Sequence, residues 1–233
     1  MNCEGVYPRH LQGVCTNQKD MIYWSFTDFM VMTDLKGKII KKVPADNHHG
    51  DLCFFDNKVY VAVNLGKFNQ PPGQADSWIY IYNAETLDEL SRVKVPELVH
   101  GAGGIACDGK RFIVVGGLPK GYVENYLYEY DLDFNFIRRH EIPGYTLLGI
   151  QTASYSNKNW WFGCYGSPAV TLKTNSKFKL KGKWDFDCSV GIEKLTNNKF
   201  LVGQSGHKKD EGYSGRIVVA VDGKSDGLKI ISE

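Results

Sequence analysis

The chain has 233 residues, 42% hydrophobic and 13% aromatic, with 25 glycines, 13 tyrosines and 12 phenylalanines, a mix that suits short strands joined by tight turns and argues against disorder. A formal charge of +2, with basic residues spread along the chain, leaves no footprint for a phosphate backbone, so nucleic acid is not an expected partner. No apolar run reaches bilayer-spanning length and Met1-Asn2-Cys3-Glu4-Gly5 is not a leader, so a soluble chain without membrane insertion is expected; its compartment stays open, extracytoplasmic if a signal peptide precedes this numbering.

In chain order, one segment recurs five times: His10-Leu-Gln-Gly-Val14, His48-His-Gly-Asp-Leu52, Gly101-Ala-Gly-Gly-Ile105, Thr146-Leu-Leu-Gly-Ile150 and Cys188-Ser-Val-Gly-Ile192. Their fourth residues, Gly13, Asp51, Gly104, Gly149 and Gly191, are spaced by 38, 53, 45 and 42 residues, a blade-length period. A polar turn and a second strand follow each: Met21 to Phe26, Val59 to Val63, Arg111 to Val115, Trp160 to Cys164, Phe200 to Gln204. Third strands are clearest at Trp78 to Asn83 and Tyr126 to Asp131, and a fourth often closes on an apolar residue and proline, as in Val43-Pro44, Val95-Pro96 and Ile142-Pro143. Val6-Tyr7-Pro8, ahead of the first unit, echoes that ending.

This pattern predicts one all-β domain over 1–233: a five-bladed β-propeller with four antiparallel strands per blade, the blades covering roughly 8–46, 47–97, 98–143, 144–186 and 187–233. A two-sheet sandwich is the runner-up, but it does not require so many equivalent four-strand units.

Six cysteines show no CxxC pair and no zinc-finger spacing; Cys15, Cys53 and Cys107 fall inside apolar runs and read as small buried hydrophobes. Disulfides involving Cys3, Cys164 or Cys188 are left open.

Strand parity sorts the loops. Links between first and second strands are short turns, whereas links between second and third strands include Asn64 to Ser77, Gly116 to Asn125 and Ser205 to Gly215, the usual setting for recognition. The same face receives the links that open each blade, carrying His10, His48, His49, His100, Asp187 and Cys188. Because first strands are innermost, these residues are expected to gather around the axis.

Imidazoles converging from several blades are metal ligands by chemistry, so His10, His48 and His100, with Asp51 or Asp187 nearby, are the candidate set for a divalent metal, zinc or calcium. The bland alternative is that these rings hydrogen-bond within a wet channel wall. Gln12, Gln151, Asn64 and Lys67 are further ligand-binding candidates. Glu193 is the best general-base candidate and Asp51 its carboxylate partner, since Asp51 with Asp187 or Glu193 is the only inner carboxylate set. Cys188 beside Asp187 would suit a thiolate nucleophile, although no local motif supports one.

The segments His10 to Gly13, His48 to Asp51, His100 to Ile105 and Leu147 to Gln151 resemble the blade openings of a family of bacterial five-bladed propellers, mostly uncharacterised, over nearly the full length. The resemblance implies the fold and not an activity. Gln12-Gly13 is more faintly similar to the first blade of plant and bacterial glutaminyl cyclotransferases, whose further acidic motifs are not found here.

The resulting expectation is a small-ligand site at the axial mouth of the loop-rich face, metal-assisted and hydrolytic or cyclotransferase-like. The competing class is a non-catalytic binding or scaffold propeller that recognises a polypeptide or glycan. A monomer is expected, with a small molecule, peptide or glycan as partner.

Overall fold

The polar turns between apolar runs have the backbone that hairpins need. Phe55 faces Lys58 across Asp56-Asn57, whose φ values of 47° and 56° match a two-residue turn to the twist of its strands. Asn157-Lys158, at 51° and 61°, does the same between Ser156 and Asn159.

The computed structural model describes residues 1–196 and 198–232, with the backbone alone described at Lys224. The first unit holds β1 (Gly13–Thr16), β2 (Ile22–Ser25), β3 (Thr27–Thr33) and the first half of β4 (Ile39–Phe55). The second half of β4 opens the next unit, followed by β5 (Lys58–Asn64), β6 (Ser77–Asn83) and β7 (Glu89–Lys94). Then come β8 (Ala102–Cys107), β9 (Phe112–Gly116), β10 (Glu124–Tyr130) and β11 (Phe136–Pro143). The fourth unit is β12 (Leu147–Ser156), β13 (Asn159–Tyr165), β14 (Val170–Asn175) and β15 (Leu180–Trp184). The last is β16 (Ile192–Lys194), β17 (Lys199–Lys208), β18 (Gly212–Asp222) and β19 (Leu228–Ser232), with one 3-10 turn at Lys224–Asp226 and no α-helix among the described residues.

All pairings are antiparallel, and because β4 serves two units, the first two merge into a seven-stranded sheet beside three four-stranded ones. The sequence reading places a break between Pro44 and His48, but the chain passes straight through. His49 pairs with Thr27 on one side and Val63 on the other, and register shifts on either side of it accommodate the crossing residues without a turn.

The innermost strands β1, β4, β8, β12 and β16 each pack on the next, and β16 returns to β1. Five buried clusters fill the gaps between successive sheets, for instance Tyr60, Ile79, Phe112 and Tyr128 between the second and third units, and Ile113, Trp160, Phe162 and Leu172 between the third and fourth. Sheets covered on both faces explain why β2, β5 and β9 are buried along almost their whole length rather than in alternation. The outer strands β7, β11 and β15 are exposed and carry Arg92, Lys94, Arg138, Arg139, Lys181 and Lys183, charges that discourage edge-to-edge pairing. This is an all-β propeller.

The N-terminal segment closes the ring. Asn2 bridges Arg216 and Tyr7 bridges Tyr213, so this segment runs along β18 beyond the stretch that β19 pairs. Tyr7 then stacks on Phe26 at 3.6 Å, tying the last unit to the first. At the axis the inner strands lie so close that side chains do not fit: a Cβ on Gly13 would sit 2.5 Å from the Asp51 Cα, and one on Gly104 2.5 Å from the Gln151 carbonyl. The repeat glycines at these two positions are therefore a packing requirement.

Candidate functional site

The first strand of each unit runs along the axis, so its two ends open on opposite faces. The loop-rich face, here the upper mouth, holds a cavity of about 340 Å³ lined by His10, Gln12, His48, Phe68, Asn69, Gly103, Leu148, Gln151 and Tyr165. Four of the expected site residues, His10, Gln12, His48 and Gln151, thus share one cavity.

Gln12 organises it. Its amide Nε2 lies 2.8 Å from His10 Nε2 and 2.9 Å from His48 Nε2, with Thr27 Oγ1 at 3.3 Å. The amide has two hydrogens for three acceptors, Thr27 Oγ1 among them, and an imidazole Nε2 that accepts one of them belongs to a neutral ring with its proton on Nδ1. Burial lowers the His10 pKa, helped by the Arg9 charge. Burial also brings His48 down to about 4, helped by the nearby His10 and His49. Phe68 meets the His48 ring edge-on at 5.0 Å, and Gln151 donates to the Leu148 carbonyl at 2.7 Å. Tyr213 lies 5.9 Å from the His10 ring and the His207 ring packs at a tilt 4.5 Å from Tyr213, so the β17–β18 ribbon stands beside the mouth. That ribbon replaces the loop expected over Ser205 to Gly215. Ser205 to Lys208 keep pairing with Gly212 to Gly215, and the contact with Tyr7 supports the extension.

The other expected residues lie elsewhere, each for a visible reason. His49 is fully buried; its Nδ1 donates to the Asp46 carbonyl at 2.6 Å and its Nε2 accepts from the Tyr82 hydroxyl at 2.7 Å. Successive residues on a strand point to opposite sides, so His48 reaches the mouth and His49 the gap between units. His100 donates from Nδ1 to the Gln70 carbonyl at 2.8 Å and packs on Tyr122 and Tyr126. Asn64 braces its own loop, accepting from the Asp76 and Gly66 amides, and the Lys67 amide closes the same loop on Gln74. Asp187 caps a turn through the Ser189 amide and hydroxyl. Cys188 is fully buried against Thr171 at 3.1 Å, and burial pushes its thiol pKa up, which removes the thiolate a nucleophile needs. All six cysteines are free thiols.

Among the described residues no group of three His, Cys, Asp or Glu side chains is placed to hold a metal ion. The His10, His48 and His100 set divides, with two rings on Gln12 and the third on Gln70.

Asp51 and Glu193 do not meet at the upper mouth either. Asp51 is fully buried on the axis, where its Oδ2 accepts from the Ala153 amide of the fourth unit at 3.0 Å. Burial raises its carboxyl pKa well above the usual range, offset only in part by backbone N–H groups. Glu193, near the end of β16, opens on the lower mouth beside Lys194.

Sequence reasoning missed Phe68, Asn69, Leu148 and Tyr165 as mouth residues. A signal was available for Leu148 alone, since it sits two positions into a repeat opening. It has φ 60° and is 39% exposed, a left-handed backbone that a leucine adopts only at a cost. Beside it stand Leu147, Tyr145 and Val123, exposed by 47%, 39% and 71%. The Gly144 amide bonds the Val123 carbonyl and Thr146 bonds Asn125, so this apolar rim is one tied assembly.

With the geometry in place, comparison with solved structures finds WD40 propeller domains. The chain is similar to the WD40 repeats of RRP9, with a TM-score of 0.59 and 9% identity over 99% of this chain and 82% of that one. It is similar to the Neurospora crassa Pan2 WD40 domain, with a TM-score of 0.55 and 11% identity over 95% of this chain and 65% of that one. At such identities the likeness is one of fold, the β-propeller. No family model matches the sequence, and no curated protein matches it.

Proposed function

We propose that this protein is a non-catalytic binding propeller whose upper face recognises a polypeptide, seating a neutral polar group in the axial mouth and apolar side chains on the adjoining rim. The observation that carries the reading is Leu148, which lines the cavity of His10, Gln12, His48 and Gln151 and also belongs to the exposed rim of Val123, Tyr145 and Leu147. A cavity of neutral amides and imidazoles matches an amide or hydroxyl group, and an apolar rim favours side chains over the hydroxyl-covered face of a glycan. The fold likeness to WD40 domains fits a binding role. Catalysis is the weaker reading: the imidazoles are held by Gln12, and the two inner carboxyls stand below the mouth. The Gln12-Gly13 pair that resembles the cyclotransferases serves here to hold His10 and His48.

The test is selection of peptides from a random displayed library on the immobilised protein. Enriched peptides are expected to lose about tenfold or more in affinity against Gln12→Ala combined with Leu148→Ser. Enrichment that survives both substitutions unchanged, or no enrichment, contradicts the reading.

A further inference from the structure

The lower mouth, whose short turns read as structural, is itself a cavity. It measures about 260 Å³ and receives wall residues from every unit, among them Thr16, Cys53, Cys107, Ser154, Glu193 and Lys194. Glu193 is 8% exposed, and among the described residues no side chain hydrogen-bonds to it; the Lys194 charge and backbone N–H favour its ionised form, but burial outweighs both. Cys53 is buried in the wall, and the Cys107 thiol accepts from the Gly109 amide at 3.3 Å. Ser154 Oγ accepts from the Lys194 amide at 3.1 Å. A carboxyl enclosed in a cavity among thiols and a hydroxyl, which the Lys194 charge favours from the same wall without forming an ion pair, keeps room for a directly bound cation.

We infer that the lower mouth is a second binding site, separate from the peptide face, that takes a small organic ammonium group onto the Glu193 carboxylate. The cation is organic because no trio of donors here can close around a metal ion among the described residues, whereas an ammonium brings its own N–H donors to a single carboxylate. The volume limits the ligand to a few heavy atoms beyond the nitrogen. Burial holds the Glu193 pKa up at about 8, so near neutrality the free site is mostly the acid. Binding then exchanges a proton for the ligand: R–NH3⁺ enters, Glu193 ionises, and the carboxyl proton leaves to buffer. The entering charge replaces the water that an ionised Glu193 would otherwise lack.

Propylammonium chloride is the probe and 1-propanol its neutral control, with amide NMR shifts at Ser154, Cys107 and Glu193 as the readout and calorimetry in two buffers of different ionisation enthalpy. The expected result is saturable propylammonium binding with proton release at pH 7, and little response to propanol. Glu193→Gln is expected to weaken binding about tenfold or more and to abolish the proton release. Cys107→Phe, on the half-buried wall, narrows the entrance and is expected to weaken binding while leaving Glu193 in place; circular dichroism checks that both variants fold. Shifts that fail to saturate by about 100 mM, an equal response to propanol, or a Glu193→Gln protein that binds as wild type would overturn the assignment.

Discussion

The two mouths of one channel are opposite ends of the same five strands, yet they hold their polar groups in opposite ways. At the upper mouth, Gln12 gives each imidazole a partner, and His10 and His48 are kept neutral by burial. At the lower mouth, Glu193 has a backbone donor and no side-chain hydrogen bond, and burial keeps it in the acid form. The difference teaches that the same low-dielectric wall removes charge from a base by lowering its pKa and from an acid by raising it. Pairing then decides which of the two is poised for an incoming charge.

The sharpest way to break this comparison is pH. Glu193 ionises near pH 4.5 in an unfolded chain and near 8 in the fold, so its contribution is intact below about 4.5 and is lost as pH rises through about 8. Relative to Glu193→Gln, wild-type stability is therefore expected to fall by about 4 kcal/mol between those limits, an upper bound, checked by urea unfolding across pH. His48 runs the other way. Its folded pKa of about 4 lies below the unfolded 6.5, so its contribution is intact above 6.5 and is lost as pH falls toward 4. Relative to His48→Gln, a loss of about 3 kcal/mol is expected over that window. Slopes of the same sign for the two variants would refute the contrast.

Asp51 separates the two mouths, and Asp51→Ala removes the acceptor for the buried Ala153 amide and opens a void on the axis. A loss of about 3 kcal/mol is expected in chemical denaturation. Gln12→Ala acts on the upper mouth alone. It leaves two imidazole nitrogens without their partner and is expected to cost about 1 to 2 kcal/mol, with imidazole NMR titrations of His10 and His48 both changed. The smallest effect is at Leu148. Leu148→Gly relieves a φ of 60° and is expected to raise stability by about 0.5 kcal/mol, the gain in backbone freedom being partly offset in the unfolded chain, while peptide binding weakens.

Much of the architecture is legible in the chain. The five repeat openings, the polar turns and the closing strands are local patterns, and the glycines at Gly13 and Gly104 mark where inner strands approach too closely for a Cβ. His10, Gln12, His48 and Gln151 could be assembled in advance because all lie in or next to the repeat openings, whose shared position follows from the repeat. His49 and His100 could not be separated from them. Tyr82 comes from a separate strand and Gln70 from a long loop, and the choice of partner depends on which side of a strand a ring leaves.

By itself, then, the sequence determined that antiparallel strands repeat and which residue types stand at each repeat opening, because turn chemistry and side-chain alternation act over a few residues. Only the tertiary structure decided that Glu193 faces away from His10, that Asp51 lies on the axis against Ala153, and that β4 crosses two units without a break. Burial and the pKa values it sets depend on every strand around the axis, and that surrounding is made by chain segments far apart in sequence.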